Sequence, residues 1–417
     1  MDKLDKMDKM DKLDKMDKLD KMDKLDKMDK LDKMDKIHRI TVAAALLLAA
    51  ALPCRTMAQK RLRDWGISTG VMKTGPLNAI TDVKGVLVGH VTLDDGNTIH
   101  TGVTAIVPHE GNVFRKKCPA GVYVGNGFGK LAGFTQVKEL GTLETPVVLT
   151  NTLNVAEGIR GLVTYTLGTE GNEGVRSVNA VVGETNDGGV NDIAARSVTE
   201  GHVLQAIASA HGGPVEEGNV GAGTGTVAFG YKGGIGTASR VLPSSMGGYT
   251  VGVLVQTNYG GVLNIAGVEI GQLAGQYTFR DNILQDVDGS CMIVVATDAP
   301  VDARNLERMA KRAMLGLART GGIASNGSGD YVIAFSNRES NLVDESTGEY
   351  SPVLLHNDAM SGLFLATIEA TAEAVWNSLF AAEPVTLPDG RTVRTIDKEW
   401  VVRKIKAARK AVGLKDR

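Results

Sequence analysis

Short apolar runs rich in β-branched residues recur along the chain and predict β-strands. The run at residues 292–296 is apolar at every position, which is typical of a strand buried on both faces of its sheet. Comparable runs occupy residues 86–88, 103–107, 147–150, 251–255 and 331–335. Fifty-one glycines against eight phenylalanines predict many tight turns between such short strands.

Helical patterns alternate with these strands. Between residues 302 and 319, apolar side chains recur with i, i+3, i+4 and i+7 spacing and form one apolar face. Asp302 predicts the start of this helix, and Gly321-Gly322 its end. Further helices are predicted at residues 151–169, 202–210, 359–380 and 397–412. Strands buried on both faces, alternating with helices, predict a layered α/β fold.

The first 36 residues are twelve triplets of the form Met-Asp-Lys or Leu-Asp-Lys. Their period of three fits neither the 3.6 of a helix nor the 3.5 of a coiled coil. Residues 1–36 are therefore predicted to be a low-complexity extension outside the fold. An alternative interpretation is that translation begins at Met34, so that the repeat precedes the true start.

Residues 34–58 have the features of a secretory signal peptide. A basic start precedes an apolar run at residues 40–52, and small residues follow before Gln59. The run is too short to span a bilayer comfortably. Cleavage is predicted after Ala58, which places the protein in the periplasm or outside the cell. Cys54 raises a lipoprotein alternative, but the residues before it fit a lipid-attachment site poorly.

Charge and histidine spacing exclude several classes of partner. A net charge of −2 gives no sign of nucleic acid or an anionic membrane as partner. The seven histidines include no pair at metal-ligand spacing, so neither a metal nor an organic cofactor is expected. Residues 125–130 resemble a phosphate-binding loop, but their spacing fails that pattern. Cys118 and Cys291 remain in the predicted mature chain, and their spacing requires no disulfide.

A Gly-Ser junction stands where a polar, turn-rich segment meets the most apolar strand. Residues 270–289 predict an exposed loop, and the strand begins at Ser290. This arrangement is the sequence form of an N-terminal nucleophile hydrolase: Ser290 attacks the carbonyl of Gly289, and the bond between them breaks. The new α-amino group, with an ordinary pKa of about 7.7–8.0, can then act as a base. For the dipeptide taken alone, an ordinary turn before a strand is the better explanation.

Short motifs around this junction appear in a specific order, although each is weak alone. They occupy residues 75–83, 88–90, 101–105, 144–146, 149–152, 184–188, 255–260, 289–290 and 326–330. In these motifs the chain resembles the DmpA/BapA-type aminopeptidases, a family that includes L-aminopeptidase D-amidase/esterases and β-aminopeptidases. The resemblance extends from residue 61 to about residue 380.

The resemblance implies a four-layer α-β-β-α sandwich, self-processed into two associated fragments, residues 59–289 and 290–417. It implies that Ser290 is the nucleophile and that the Asn258 amide stabilises the oxyanion. For Asn258, a turn residue at a strand end is the simpler interpretation of the sequence alone.

Further roles are implied for residues near these two. Ser328 and Asp330 match a serine and a carboxylate that relay the proton of the nucleophile, although a polar turn before a strand also explains them. Asp330 is one methylene shorter than the Glu of some relatives, which leaves its role open. Glu184 matches the carboxylate that binds the free amino group of the substrate, with an exposed loop acid as the alternative. Asn186 falls where relatives vary in the substrate pocket.

The predicted function is a serine-type aminopeptidase or amidase acting on small peptides, amides or esters. Whether the released residue is an L-, D- or β-amino acid stays open, and relatives imply a homotetramer of processed protomers. One alternative is an acyltransferase of the ornithine acetyltransferase type, although such enzymes typically use a threonine nucleophile. A second alternative is a non-catalytic periplasmic binding protein.

Overall fold

The computed structural model describes residues 61–280 and 289–414. The predicted extension, the predicted signal peptide and residues 281–288, which directly precede the Gly-Ser junction, lie outside these residues. Among the helices of the described residues, none combines the length and apolar character that crossing a membrane requires.

Two sheets carry most of the strands. The smaller sheet has the spatial order β1-β2-β6-β7-β4 and the larger has the order β10-β11-β12-β13-β3-β14, with β5 also paired to β3. The strands of the smaller sheet are β1 (Leu87–Asp94), β2 (His100–Val107), β4 (Leu131–Ala132), β6 (Val147–Asn151) and β7 (Val181–Thr185). Those of the larger sheet are β3 (Lys116–Gly127), β5 (Thr142–Leu143), β10 (Gly234–Val241), β11 (Thr250–Asn258), β12 (Gly289–Thr297), β13 (Ser328–Ser336) and β14 (Val343–Asp344).

Two small hairpins complete the strands of the described residues: β8 (Val227–Ala228) with β9 (Tyr231–Lys232), and β15 (Val385–Thr386) with β16 (Thr392–Val393). In the larger sheet, β12 is antiparallel to β11 and parallel to β13. The strand that carries the Gly-Ser junction is therefore an interior strand, and two ladders of hydrogen bonds fix its position.

The five helices predicted from the sequence are confirmed, with ends that move by a few residues. The helices are α1 (Phe134–Leu140), α2 (Val155–Gly168), α3 (Glu200–Ala208), α4 (Ile270–Ala274), α5 (Ala303–Arg319), α6 (Ser361–Ala381) and α7 (Lys398–Ala411). Asp302 caps α5 as predicted, since its carboxylate accepts a hydrogen bond from the Asn305 amide at 2.9 Å. The expectation of a loop throughout residues 270–289 is wrong at its start, where α4 forms.

Three buried clusters hold helices and sheets together. Because side chains alternate along a strand, Val253 and Leu254 point to opposite faces of the larger sheet. Val253 joins a cluster with residues of α5 and α6, whereas Leu254 joins a cluster that includes Ile106 of the smaller sheet. A third cluster lies between the smaller sheet and helices α2 and α3. The mixed α/β class predicted from the sequence is confirmed.

Among the long strands of the larger sheet, β3 and β10 escaped prediction because glycines interrupt them. A Cβ at Gly121 of β3 would lie 2.4 Å from the Glu307 amide nitrogen of α5. A Cβ at Gly236 of β10 would lie 2.0 Å from the Ala374 carbonyl of α6. The helices pack directly on the strand backbone there, so glycines interrupt the β-branched runs and leave only short ones, such as Val122-Tyr123-Val124 in β3.

A buried group of charges ties β10 to α6. Arg240 is fully buried and pairs with Glu369 at 3.0 Å and with Glu373 at 2.7 Å. Glu373 also pairs with Arg63 at 2.5 Å and accepts a hydrogen bond from the Thr69 hydroxyl at 2.8 Å. Burial acts to raise the pKa of Glu373, but Arg240 and Arg63 outweigh it and lower that pKa to about 2.

We expect Glu373→Gln to lower the free energy of unfolding by about 3–5 kcal/mol at pH 7, because it removes the buried charge that pairs with both Arg240 and Arg63. Because the pKa of Glu373 is lower in the folded state, its ionised carboxylate stabilises the fold fully above pH 4.5. This stabilisation is lost as the pH falls towards about 2. Urea unfolding at pH 7 and pH 3 measures both effects.

The control is Glu399→Gln, which breaks an exposed i,i+4 pair with Arg403 and is expected to change stability by less than about 1 kcal/mol. If Glu373→Gln and wild type differed in free energy of unfolding by the same amount at both pH values, the depressed pKa assigned to Glu373 would be contradicted.

Candidate active site

Ser290 lies at the start of β12, and its neighbours are set by the two adjoining strands. The antiparallel ladder places Asn258, the last residue of β11, opposite Ser290. The parallel ladder places Gly329 of β13 beside it. Two residues predicted to act together, Ser290 and Asn258, are therefore strand neighbours.

The Ser290 hydroxyl is held against the peptide bond that precedes it. It donates a hydrogen bond to the Gly289 carbonyl at 2.5 Å, and the Gly329 amide approaches its oxygen at 3.4 Å. A Cβ at Gly289 would lie 3.0 Å from the Tyr259 Cα, tighter than ordinary contact. Lack of space, and not a left-handed backbone, therefore explains why glycine precedes the serine.

The orientation of the Asn258 amide is fixed by two backbone groups. Its Oδ1 accepts a hydrogen bond from the Val227 amide at 2.9 Å, and its Nδ2 donates to the Asn186 carbonyl at 2.9 Å. Because an amide N–H only donates and a carbonyl only accepts, a flipped Asn258 would lose both bonds. One N–H of Nδ2 remains for a further acceptor in the cavity.

Asn186 contributes through its main chain. Its carbonyl orients Asn258, while its side-chain oxygen accepts a hydrogen bond from the Gly188 amide at 2.9 Å. The residue lines the cavity as predicted.

Glu184 is buried at the end of β7, and neutral donors hold its carboxylate. Oε1 accepts a hydrogen bond from the Lys130 amide at 2.8 Å, and Oε2 accepts one from the Thr152 hydroxyl. Among the described residues, the one cation within 4.0 Å is the Lys130 ammonium, at that distance and 57% exposed. The interpretation of Glu184 as an exposed loop acid is wrong, and its charge is available to a ligand ammonium.

Two glycines bring the segment beside Glu184 against the strand beside Ser290. A Cβ at Gly329 would lie 2.8 Å from the Gly129 Cα and 3.2 Å from the Ser290 hydroxyl oxygen. A Cβ at Gly129 would lie 2.9 Å from Oε1 of Glu184. Residues larger than glycine at either position would push the carboxylate and the hydroxyl apart.

These groups open into one cavity of about 740 Å³. Four of the predicted residues line it together with the glycine of the junction: Glu184, Asn186, Asn258, Gly289 and Ser290. The predicted residues Ser328 and Asp330 do not line it.

Ser328 and Asp330 lie on the opposite face of the strand from the cavity. They flank Gly329 in sequence, and Asp330 is paired in register with Cys291, one residue past the nucleophile candidate. The Ser328 hydroxyl and both Asp330 carboxylate oxygens are buried, with no hydrogen bond of normal geometry to any described residue. Burial raises the pKa of Asp330 to about 6, against the lowering influence of Ser328 and the Cys291 amide.

Several cavity residues were not singled out from the sequence. Thr152 binds Glu184, Val227 orients Asn258, and Phe229 packs edge-on against Tyr259 with ring centroids 5.0 Å apart. Thr152 ends one of the motifs that carried the family resemblance, so its position was a usable signal. Val227 acts through its main-chain amide, which no side-chain pattern reveals.

Comparison with known proteins assigns the chain to a family. The model of peptidase family S58 matches residues 78–393, more than half of the chain. The chain belongs to peptidase family S58. The S58 match includes every predicted site residue from Glu184 to Asp330.

The similarity of this S58 chain to its relatives covers most of its length. The β-peptidyl aminopeptidase BapA of Sphingosinicella microcystinivorans is 39% identical over 374 residues, which cover 85% of this chain and 93% of the relative. The solved structure of the PH0078 protein from Pyrococcus horikoshii OT3 is 44% identical with a TM-score of 0.77, covering 84% of this chain and 99% of that one.

A third relative has a structure whose fold has been described. The L-aminopeptidase D-Ala-esterase/amidase of Ochrobactrum anthropi is 34% identical with a TM-score of 0.73, covering 85% of this chain and 99% of that one. It is described as a prototype for the serine aminopeptidases and as a variant of the Ntn hydrolase fold. The comparisons confirm the predicted family and the predicted enzyme class, a hydrolase of the aminopeptidase type.

Two structural observations concern groups that the sequence left open. Cys118 and Cys291 are both buried free thiols, so the two do not form a disulfide. Within residues 61–280 and 289–414, no group of three or more His, Cys, Asp and Glu side chains is arranged to hold a metal ion.

In the Ser290→Ala chain, which keeps the bond before residue 290, we expect an added Asp330→Asn to raise the free energy of unfolding above pH 6 by up to about 3 kcal/mol, since the pKa of Asp330 rises from 3.8 to about 6 on folding. Above pH 6 the carboxylate is charged in both states but is buried only in the folded one. Below pH 4 the chains with and without Asp330→Asn should differ little in stability. Urea unfolding at pH 4 and pH 8 measures the difference.

The exposed Asp358 provides the control, because Asp358→Asn removes a carboxylate that folding does not bury. A loss of stability at pH 8 when Asp330→Asn is added to the Ser290→Ala chain would show that the carboxylate has a stabilising partner in the uncut protein.

Proposed function

We propose that this chain is a serine aminopeptidase that activates itself by cutting the Gly289–Ser290 bond and then releases N-terminal residues from small peptides, amides or esters. The observation that carries the proposal is the 2.5 Å hydrogen bond from the Ser290 hydroxyl to the Gly289 carbonyl, inside a cavity shared with Asn258 and Glu184.

Self-cleavage proceeds by an acyl shift. The Ser290 oxygen attacks the Gly289 carbonyl carbon, the C–N bond breaks, and an ester and a free α-amine replace the amide. Water then hydrolyses the ester, which leaves a carboxylate on Gly289 and regenerates the hydroxyl. The remaining N–H of Asn258 supports this step, because it can donate to the oxyanion that forms.

Two buried polar side chains beside the junction, Ser328 and Asp330, have no hydrogen bond of normal geometry to the described residues, and this supports cleavage as well. Buried hydroxyl and carboxylate groups normally have hydrogen-bond partners, so those of Ser328 and Asp330 require an explanation. Ser328 is paired in register with Gly289, the residue whose bond is cut. The α-amine freed at Ser290 would provide a donor for these groups, and they would position it as the base for the hydroxyl.

The processed enzyme would then act on a substrate bound through its ammonium group. Glu184 holds the ammonium, Ser290 attacks the carbonyl carbon, and Asn258 stabilises the oxyanion, a contribution of about 2.7–4 kcal/mol to the barrier for such a donor. The leaving amine takes a proton from the Ser290 amine. Water finally releases the acyl group from the serine.

The finer features predicted from the sequence belong to the same proposal. The three buried clusters support a four-layer α-β-β-α sandwich made of the fragments 59–289 and 290–417. A homotetramer of processed protomers, a signal peptide at residues 34–58 and a periplasmic or secreted location complete it. The relative named a β-peptidyl aminopeptidase makes β-amino residues the first substrates to compare with L- and D-residues.

We expect Ser290→Ala to remain a single inactive chain, because the attacking oxygen is missing. Wild type should give two fragments, the second beginning at Ser290, and Ser290→Thr should still be cut because it keeps a hydroxyl. Intact-mass spectrometry and N-terminal sequencing of the purified proteins measure this. An uncut wild-type chain with full activity would contradict self-cleavage.

The same proteins separate the alternative functions. An acyltransferase would form product mainly when an acceptor amine is added to the assay. A binding protein would hydrolyse none of the L-, D- and β-aminoacyl p-nitroanilides, and Ser290→Ala would bind ligand as wild type does.

We expect Glu184→Gln to lower kcat/KM for aminoacyl p-nitroanilides by about 10- to 100-fold, mainly through KM, since the charged partner of the ammonium is lost. Cutting at residue 290 should continue in this variant, which shows that the fold is kept. Glu139→Gln, which changes an exposed glutamate of α1, is the control. An unchanged KM would remove Glu184 from substrate binding.

A further inference from the structure

A second cavity of about 1040 Å³ continues from the first. The two cavities share four lining residues, which are Gly189, Val227, Gly230 and Gln276. The second cavity is walled by the β15–β16 hairpin, the segment that follows it and the start of α7, including Trp400. The family match ends at residue 393, so part of this wall lies beyond it.

The shared residues indicate which end of a substrate would enter the second cavity. Lys130 and Thr152, which hold the Glu184 carboxylate, line the first cavity and not the second. Val227, which orients Asn258, lines both. A substrate with its ammonium at Glu184 and its carbonyl at Asn258 would therefore extend its leaving group past Val227.

Three charged side chains line the second cavity, and two of them are already engaged. Arg391 pairs with Asp389 at 2.6 Å, and Asp397 caps α7 by accepting a hydrogen bond from the Trp400 amide at 2.9 Å. The exposed guanidinium of Arg394 makes no ion pair or hydrogen bond with any residue in the described parts of the chain. It is the charged group in this wall that a ligand can bind without displacing a partner.

Backbone hydrogen bonds set the distance from Arg394 to the site. Its carbonyl accepts a hydrogen bond from the Lys232 amide at 2.8 Å, and Lys232 is the strand partner of Val227. Two strand spacings, about 10 Å, thus separate the backbones of Arg394 and Val227. One leaving residue spans about 3.5 Å, and the long arginine side chain covers much of the rest.

We propose that Arg394 binds the C-terminal carboxylate of the leaving group, so that the enzyme prefers short peptides with a free carboxyl end over the matching C-terminal amides. This rests on the proposed aminopeptidase function. A guanidinium presents paired N–H groups that match a carboxylate, and an amide offers it no negative charge. Arg394 would thus determine specificity without touching the reacting atoms.

The test compares a dipeptide with its own C-terminal amide, using the N-terminal residue that the enzyme releases fastest. We expect Arg394→Gln to lower kcat/KM for the free acid about ten-fold, mainly through KM, while kcat/KM for the amide stays within about two-fold. Arg394→Lys should keep part of the preference, because it keeps the charge. If Arg394→Gln lowered kcat/KM equally for the acid and the amide, or for neither, the inference would be overturned.

Arg391→Gln is the matched control, because Arg391 also lines the second cavity but forms an ion pair with Asp389. A loss of acid preference in this variant as large as that of Arg394→Gln would overturn the assignment to Arg394. The proposed function fails in a different way: neither dipeptide nor amide would be hydrolysed by wild type. Hydrolysis of both at equal rates by wild type would overturn the Arg394 inference alone.

Discussion

The contact between Gly129 and Gly329 is the constraint on which the site depends. Ser290 belongs to the larger sheet and Glu184 to the smaller one, and these two glycines allow the backbones beside them to touch. In the proposed mechanism the Glu184 carboxylate and the Ser290 hydroxyl bind two ends of one substrate residue, so their separation matters. A side chain at either glycine would push the two groups apart, and the hydrogen bonds to Glu184 from Lys130 and Thr152 hold the carboxylate in place.

The two buried carboxylates near Ser290, Glu184 and Asp330, have different surroundings. Glu184 is buried and accepts hydrogen bonds from two neutral donors, and the nearest described cation, the exposed Lys130 ammonium, is 4.0 Å away. Asp330 is buried with no hydrogen bond of normal geometry to any described residue, and burial raises its pKa in the uncut chain. Such an arrangement weakens the uncut chain locally, while the Arg240 group of charges elsewhere in the sheet stabilises it.

Patterns of apolar residues predicted most of the fold because most elements bury side chains in the ordinary way. The strand at Ser290 and the amphipathic helix after Asp302 were found by such patterns. Strands β3 and β10 were not, since helices pack on their glycines and the usual apolar side chains are missing. In the site, residue types and order pointed to Ser290, Asn258 and Glu184. The two groups that orient Asn258 could not be predicted, because the Val227 amide and the Asn186 carbonyl belong to the main chain and leave no side-chain pattern.

The ion pairs of Arg240 connect parts of the chain that lie on either side of the proposed cut. Arg240 and Arg63 precede residue 289, while Glu369 and Glu373 follow it. Strand β12 likewise pairs with β11 from the other side of that position. A cut molecule would therefore be two polypeptides with one interior. Dissociation of the two fragments would expose the apolar core of each and break the ion pairs between them. The cut protein would therefore exist as a permanent heterodimer made from a single gene product.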